Sequence, residues 1–107
     1  MTVTRRHPRA RVGAMNPQLD LDVSGWVGDR SVDLDDLRGK VVLVEAFQML
    51  CPGCVSHGIP QAQRIHRTFN PDQVAVIGLH TVFEHHDVMG PDALAAFVSE
   101  YAIDFPI

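Results

Sequence analysis

Apolar and polar positions change rhythm several times along the chain, and each change predicts an element. Leu19, Leu21 and Val23 alternate with Asp20 and Asp22, the period of a half-exposed strand. "SGWVGD" is a turn-rich connection. In "SVDLDDLRGK", Asp33 is placed to cap a short helical turn through Leu37, and Gly39 suits its C′ position. "KVVLVEAF", residues 40–47, is continuously apolar except for Glu45 and rich in valine. That is the pattern of a strand buried on both faces, as in parallel sheets. Val55, Ile59, Ala62, Ile65 and Phe69 then line one helical face, with Gln61, Gln63, Arg64 and Arg67 opposite. Pro60 sits inside this helix and removes a backbone bond to Ser56, which predicts a kink. Asn70-Pro71 ends it, because a residue before proline avoids the helical region.

"VAVIGL", 74–79, is a second buried strand, and "HTVFEHHDVMG" a polar loop. Pro91 opens a second helix at its favoured N1 position. Leu94, Phe97, Val98 and Tyr101 follow at i, i+3, i+4 and i+7. "DFPI" reads as the start of another extended piece. Residues 1–18 have no hydrophobic period and are expected to be a disordered or loosely attached tail. Strand, turn, strand, helix, strand, helix is a βαβα pattern on a parallel sheet, hence an α/β class.

Length and charge narrow the function. At 107 residues the chain is one domain at most. Its formal charge is −4, but Arg5, Arg6, Arg9 and Arg11 hold four of nine basic residues, so the remainder stands at −8. An acidic body argues against a nucleic-acid surface. No stretch approaches the roughly 20 apolar residues of a membrane helix. No apolar run follows Arg5-Arg6, so no export signal is read and a cytoplasmic location is expected, with a periplasmic or extracytoplasmic one as the alternative. Two cysteines cannot make the disulfide framework of small secreted domains.

Those two cysteines, Cys51 and Cys54, lie where the first buried strand passes into a helix. Pro52 falls where N1 would be, which puts Cys51 near the N-cap. Free N–H groups and the positive end of the helix dipole stabilise a thiolate there. Cys51 is therefore the expected attacking thiol, and Cys54, one turn further in, the resolving thiol. A C-x-x-C in a βαβ setting is a redox signature, whereas C-x-x-C alone is not. Glu45 adds a candidate base. An acid in an apolar strand is costly to bury, burial favours its neutral form, and from beneath the helix it could take the proton of Cys54. A sheet-edge position, or pairing with Lys40 or an arginine, is the alternative account of Glu45.

"DLRGKVVLVEAFQMLCPGC" resembles the thioredoxin superfamily, and most closely its redoxin or TlpA-like branch of thiol–disulfide oxidoreductases. The resemblance covers about residues 19–107. It implies an α/β, thioredoxin-like fold with an N-terminal hairpin and a βαβα core. Cys51 then matches the attacking cysteine, Cys54 the resolving one, Pro60 the helix kink, Phe47 the aromatic of the strand, and Glu45 the place of a buried acid. Leu50 stands where the family commonly has tryptophan, and Met49 and Gln48 extend an apolar rim before it. Val44 and Gln48 replace the proline and the threonine or serine that peroxiredoxins carry, so a dedicated peroxidase is not expected. The chain reaches Ile107 without the cis-proline turn of the family, and the expected domain, 19–107, is incomplete and lacks the final ββα unit. The valine-rich strand would then have a free edge, a route to self-association.

What the resemblance implies is a thiol–disulfide oxidoreductase with no cofactor beyond the Cys51–Cys54 redox-active disulfide. Its partners would be a protein or small-molecule disulfide and a thiol reductant system. The other reading is a non-enzymatic zinc-binding or structural module, or an inactive redoxin fragment. Cys51, Cys54 and His57 make C-x2-C-x2-H, and His80, His85 and His86 lie on or after the second strand. Zinc needs four ligands, often from two such pairs. "EHHD", 84–87, reads first as a solvated loop, and His57 as helix surface.

Overall fold

Two seven-residue strands in parallel make the centre of the described chain. The computed structural model describes residues 20–107. β1 (Val41–Phe47) and β2 (Val74–His80) pair from Val41 opposite Val74 to Phe47 opposite His80. Leu43, Val44 and Glu45 are buried in succession on β1, and Val76, Ile77 and Gly78 on β2. Burial of consecutive positions is the mark of strands covered on both faces, as their continuous apolar runs predict. Among the described residues these are the only two strands of the sheet, so β1 has a strand neighbour on one side. Val41, at its start, is 65% exposed.

The connection between them is helical. α1 (Ile59–Thr68) buries Ile59 and Ala62 in the same cluster as Leu43, Phe47 and Val76. Directly before it, Cys54–Gly58 forms a π-turn in which the Ile59 N–H reaches back to the Cys54 carbonyl. At the place where a kink is predicted for Pro60, the structure has this π-turn, widened by one residue before the position that cannot donate. Phe69, expected on the apolar face of this helix, is instead its C-cap, extended and half exposed. Asn70-Pro71 stops the helix one residue too early for Phe69 to follow its turn.

α2 (Pro91–Glu100) has Pro91 in its first turn and packs Leu94, Phe97 and Val98 against the core. The Phe97 ring stacks on Phe47 with centroids 6.1 Å apart. Tyr101 lies past the end of α2 and rests on Phe97 while remaining exposed. A 3-10 turn, Leu34–Leu37, sits where expected: Asp33 accepts from the Asp35 N–H, and Gly39 follows in the left-handed region at φ 87°.

The N-terminal part differs from expectation. The tail 1–18 and Leu19 lie outside the described residues. Asp20 to Val23 form no strand, so no hairpin precedes β1 among the described residues. The alternation survives as burial alone, with Leu21 and Val23 half-buried and Asp20 and Asp22 exposed. On the outer side of β2 the backbone partner is instead the C-terminal segment. The Gly78 N–H donates to the Pro106 carbonyl at 2.7 Å, and the Val27 N–H to the Ile107 carbonyl at 2.9 Å. Ile103, Phe105 and Ile107 are all buried. "DFPI" thus belongs to the core, without forming a ladder of its own.

Candidate active site

The site is built where β1 runs out. Phe47 ends the strand, and its carbonyl accepts from the Thr81 N–H at 2.8 Å. Gln48 comes next and is fully buried. Its Oε1 accepts from the Phe83 N–H at 3.1 Å, and its Nε2 donates to Glu84 Oε1 at 3.4 Å. The Met49 N–H donates to His80 Nε2 at 3.2 Å. The turn before the cysteines is therefore tied, residue by residue, to the end of β2 and the segment after it. Gln48 is not part of an apolar rim, as the sequence suggested, but an internal strut. Leu50 is the exposed apolar residue there.

Cys51 closes this turn by donating its N–H to the Gln48 carbonyl at 3.1 Å. Helical geometry starts at Pro52, and the Val55 N–H bonds to the Cys51 carbonyl at 3.1 Å. This makes Cys51 a cap residue, and its own sulfur takes up one of the free amides of the first turn: the Cys54 N–H points at Cys51 Sγ, 3.3 Å away. Unpaired N–H groups at a helix start are what a thiolate needs.

The two thiols are driven apart in acidity. Cys51 is held below the ordinary thiol range, chiefly by the hydrogen bond it receives from the Cys54 thiol and next by the Cys54 N–H, against some desolvation and the Glu45 charge. Cys54 is raised, first by burial and then by its role as donor to Cys51, with the Glu45 charge adding to the rise. Both thiols are free and half-buried. Glu45 is 3% exposed on β1, and its carboxylate lies against the π-turn at Gly58. The structure thus brings Cys51, Cys54 and Glu45 to one junction.

It does not bring the histidines there as a ligand set. His57 is exposed and shares a 2.7 Å hydrogen bond with Ser56 Oγ. His85 and His86 are exposed in the loop after β2. Among the described residues no group of three His, Cys, Asp or Glu side chains is arranged to hold a metal ion. No described helix is long and apolar enough to cross a membrane.

Gln48 and His80 support the site, and the cysteine motif alone does not point to them. Both are polar residues at the C-terminal ends of buried parallel strands, the end at which open α/β sheets build their sites. That signal was in the sequence. His80 is more than a spacer. Burial lowers its pKa, which keeps the ring neutral with Nε2 free to accept, and the ring rests on Phe47 at 5.1 Å. Because the folded-state pKa is depressed, its contribution is complete above the ordinary histidine range and is lost as pH falls through the lowered one. His80→Phe is expected to keep the ring packing, strand the Met49 N–H and lower stability by about 1–3 kcal/mol. Urea melts across pH would show the wild type losing an acid-side stability step that the variant lacks.

A pair of free thiols opening a helix after the buried strand of a parallel α/β sheet is the arrangement of a thioredoxin-like protein. The comparisons agree, and the chain belongs to the thioredoxin-like superfamily. It is 63% identical to a thiol-disulfide isomerase from Corynebacterium glutamicum, with a TM-score of 0.81 over 84% of this chain and 58% of that one. It is 57% identical to the thioredoxin-like superfamily protein SPOA0173, with a TM-score of 0.76 over 80% of this chain and 56% of that one. Protein DipZ of Mycobacterium bovis and of Mycobacterium tuberculosis is 32% identical over 88 residues, 79% of this chain and 12% of the DipZ chain. The chain therefore spans a little over half the length of the solved relatives and about an eighth of DipZ. No protein-family model matches it.

Proposed function

We propose that the chain exchanges thiols and disulfides through Cys51 and Cys54. The observation that carries this reading is the asymmetry of the pair: one sulfur faces the Cys54 N–H and is acidified, while the other is held back by burial. The Cys51 thiolate attacks a substrate disulfide, forming a mixed disulfide and expelling one substrate thiolate. Cys54 passes its proton to Glu45, attacks Cys51 Sγ as a thiolate and expels the second substrate sulfur as a thiolate. The substrate gains two electrons, and the protein is left with a Cys51–Cys54 disulfide, which an external thiol reductant returns to the dithiol. No cofactor enters. A thiol-disulfide isomerase among the solved relatives supports redox chemistry of this general kind.

The test is catalysed reduction of insulin by dithiothreitol, followed as turbidity, with the reduced chain as catalyst. Acceleration over the reductant alone is expected, unchanged by a chelator. Stoichiometric zinc in the purified chain with no acceleration would replace this reading with the metal module. The thiols provide a second check. The rate of alkylation by iodoacetamide follows the thiolate fraction, so Cys51 is expected to reach its half-maximal rate at a pH below the ordinary thiol range. Cys54, measured in the Cys51→Ser variant, should show no comparable downward displacement. Peptide mapping after brief alkylation at neutral pH would find the label on Cys51.

A further inference from the structure

Gly58 occupies a place where glycine is a disadvantage. Its φ of −62° and ψ of −54° are ordinary helical values, so no left-handed turn calls for it. It lies inside the continuous helical run 52–68. Glycine within a helix costs about 1 kcal/mol relative to alanine. What surrounds it gives the reason. A Cβ built on Gly58 would overlap Glu45 Oε1 and stand 3.2 Å from Cδ and 3.7 Å from Oε2. Its three nearest atoms all belong to one carboxylate. Gly53, the other glycine of this helical run, has nothing within 4 Å.

The π-turn completes the arrangement. It begins at Cys54 and ends at Gly58, so the widened part of the helix starts at the half-buried second thiol and ends over the acid. Glu45 is buried on β1 directly below. We infer that Gly58 is a positioning residue: its missing side chain leaves a notch in the helix wall that seats the Glu45 carboxylate alongside the π-turn, where it serves Cys54. The inference rests on the proton-accepting role proposed above for Glu45.

The atom that a new Cβ would meet is the far end of a flexible side chain, not backbone. Gly58→Ala can therefore be accommodated by moving the carboxylate, and it improves helix propensity at the same time. A purely structural glycine predicts lost stability. A positioning glycine predicts retained stability and a slower resolving step.

The two steps separate with one equivalent of dithiobis-nitrobenzoate. Attack by Cys51 releases the first coloured aryl thiolate, and closure of the Cys51–Cys54 disulfide releases the second. In Gly58→Ala the first phase should match wild type. The second should slow by about a hundredfold, the low end of what a positioned proton acceptor contributes. Its melting temperature should not fall below that of wild type. Glu45→Gln should slow the same phase, and the double variant should be no slower than Glu45→Gln alone, because a seat has no effect once its occupant is inert. A wild-type second phase in Gly58→Ala beside a slow Glu45→Gln would overturn the role of Gly58 and leave that of Glu45 standing. A wild-type second phase in Glu45→Gln would remove both. Losses that multiply in the double variant would show that Gly58 acts other than through Glu45, and the inference would fall.

Discussion

Cys51→Ser is expected to abolish disulfide exchange, while Cys54→Ala is expected to start the reaction and fail to finish it. The two losses differ because the proposed mechanism gives the two sulfurs different work. Serine offers no thiolate at any working pH, so without Cys51 a substrate disulfide meets only Cys54. That thiol is raised by burial and sits further along the helix. Turnover in the insulin assay should fall to the level of the reductant alone. Without Cys54, Cys51 still attacks, but nothing within the protein resolves the product. A mixed disulfide should accumulate, visible as a mass adduct on the peptide carrying Cys51 and reversed by added thiol. The reverse pattern, an adduct trapped on Cys54 in the Cys51→Ser variant, would overturn the assignment of roles.

Cys54→Ala also has a consequence for acidity. The largest cause of the low Cys51 pKa is the hydrogen bond from the Cys54 thiol, and the second is the Cys54 N–H. Alanine removes the first and keeps the second. The alkylation midpoint of Cys51 should therefore move upward, toward but not reaching that of a free thiol. Glu45→Gln should act in the opposite sense on its neighbours. Its charge raises both thiols, so removing it lowers them. Yet resolution should slow, because the proposed acceptor of the Cys54 proton is gone. A lower thiol pKa together with a slower second phase distinguishes a base from a mere nearby charge.

Local pattern makes the candidate groups legible. Cys51 and Cys54 stand out by spacing and by their place between a valine-rich run and a helical face. Glu45 stands out because nothing else in residues 41–47 is charged. The 3-10 turn after Asp33, the two strands and both helices follow from periodicity and caps that act within a few residues. The supports of the site depend on closeness in space. Nothing near Gln48 says that Phe83 and Glu84 will hold its amide, and nothing near Met49 says that His80 will accept its N–H. The notch at Gly58 needs both the strand below and the π-turn above. Leu21 and Val23 failed as a strand for a related reason. Period two reports which face is buried, but not whether a partner strand is present, and the Gly78 N–H on β2 is taken by Pro106.

The same edge makes Phe105→Ala the most damaging single substitution expected for the fold. Phe105 is 1% exposed and lies in one cluster with Leu43, Phe47 and Ile59. Its ring meets His66 of α1 edge-on at 6.0 Å. It also lies over Gly78, where an added Cβ would come within 3.0 Å of it. Gly78 is the register partner of Glu45. One side chain thus packs α1 and β2 together immediately beside the strand that carries the acid. Phenylalanine-to-alanine changes in cores cost about 3–5 kcal/mol, against about 5–15 kcal/mol for a whole natural domain. With a two-stranded sheet, the low end of that range is the relevant one, and the variant should be largely unfolded or lose most of its urea midpoint. Phe83→Ala, at a residue 72% exposed, should shift the midpoint little. Far-UV circular dichroism in urea reads both. A Phe105→Ala midpoint equal to wild type would mean that the segment 103–107 folds apart from the strands. In that case the Cys51 alkylation profile should also be unchanged. If the segment is part of the cooperative unit, as its packing on Gly78 requires, the low thiol pKa and the fold will be lost together.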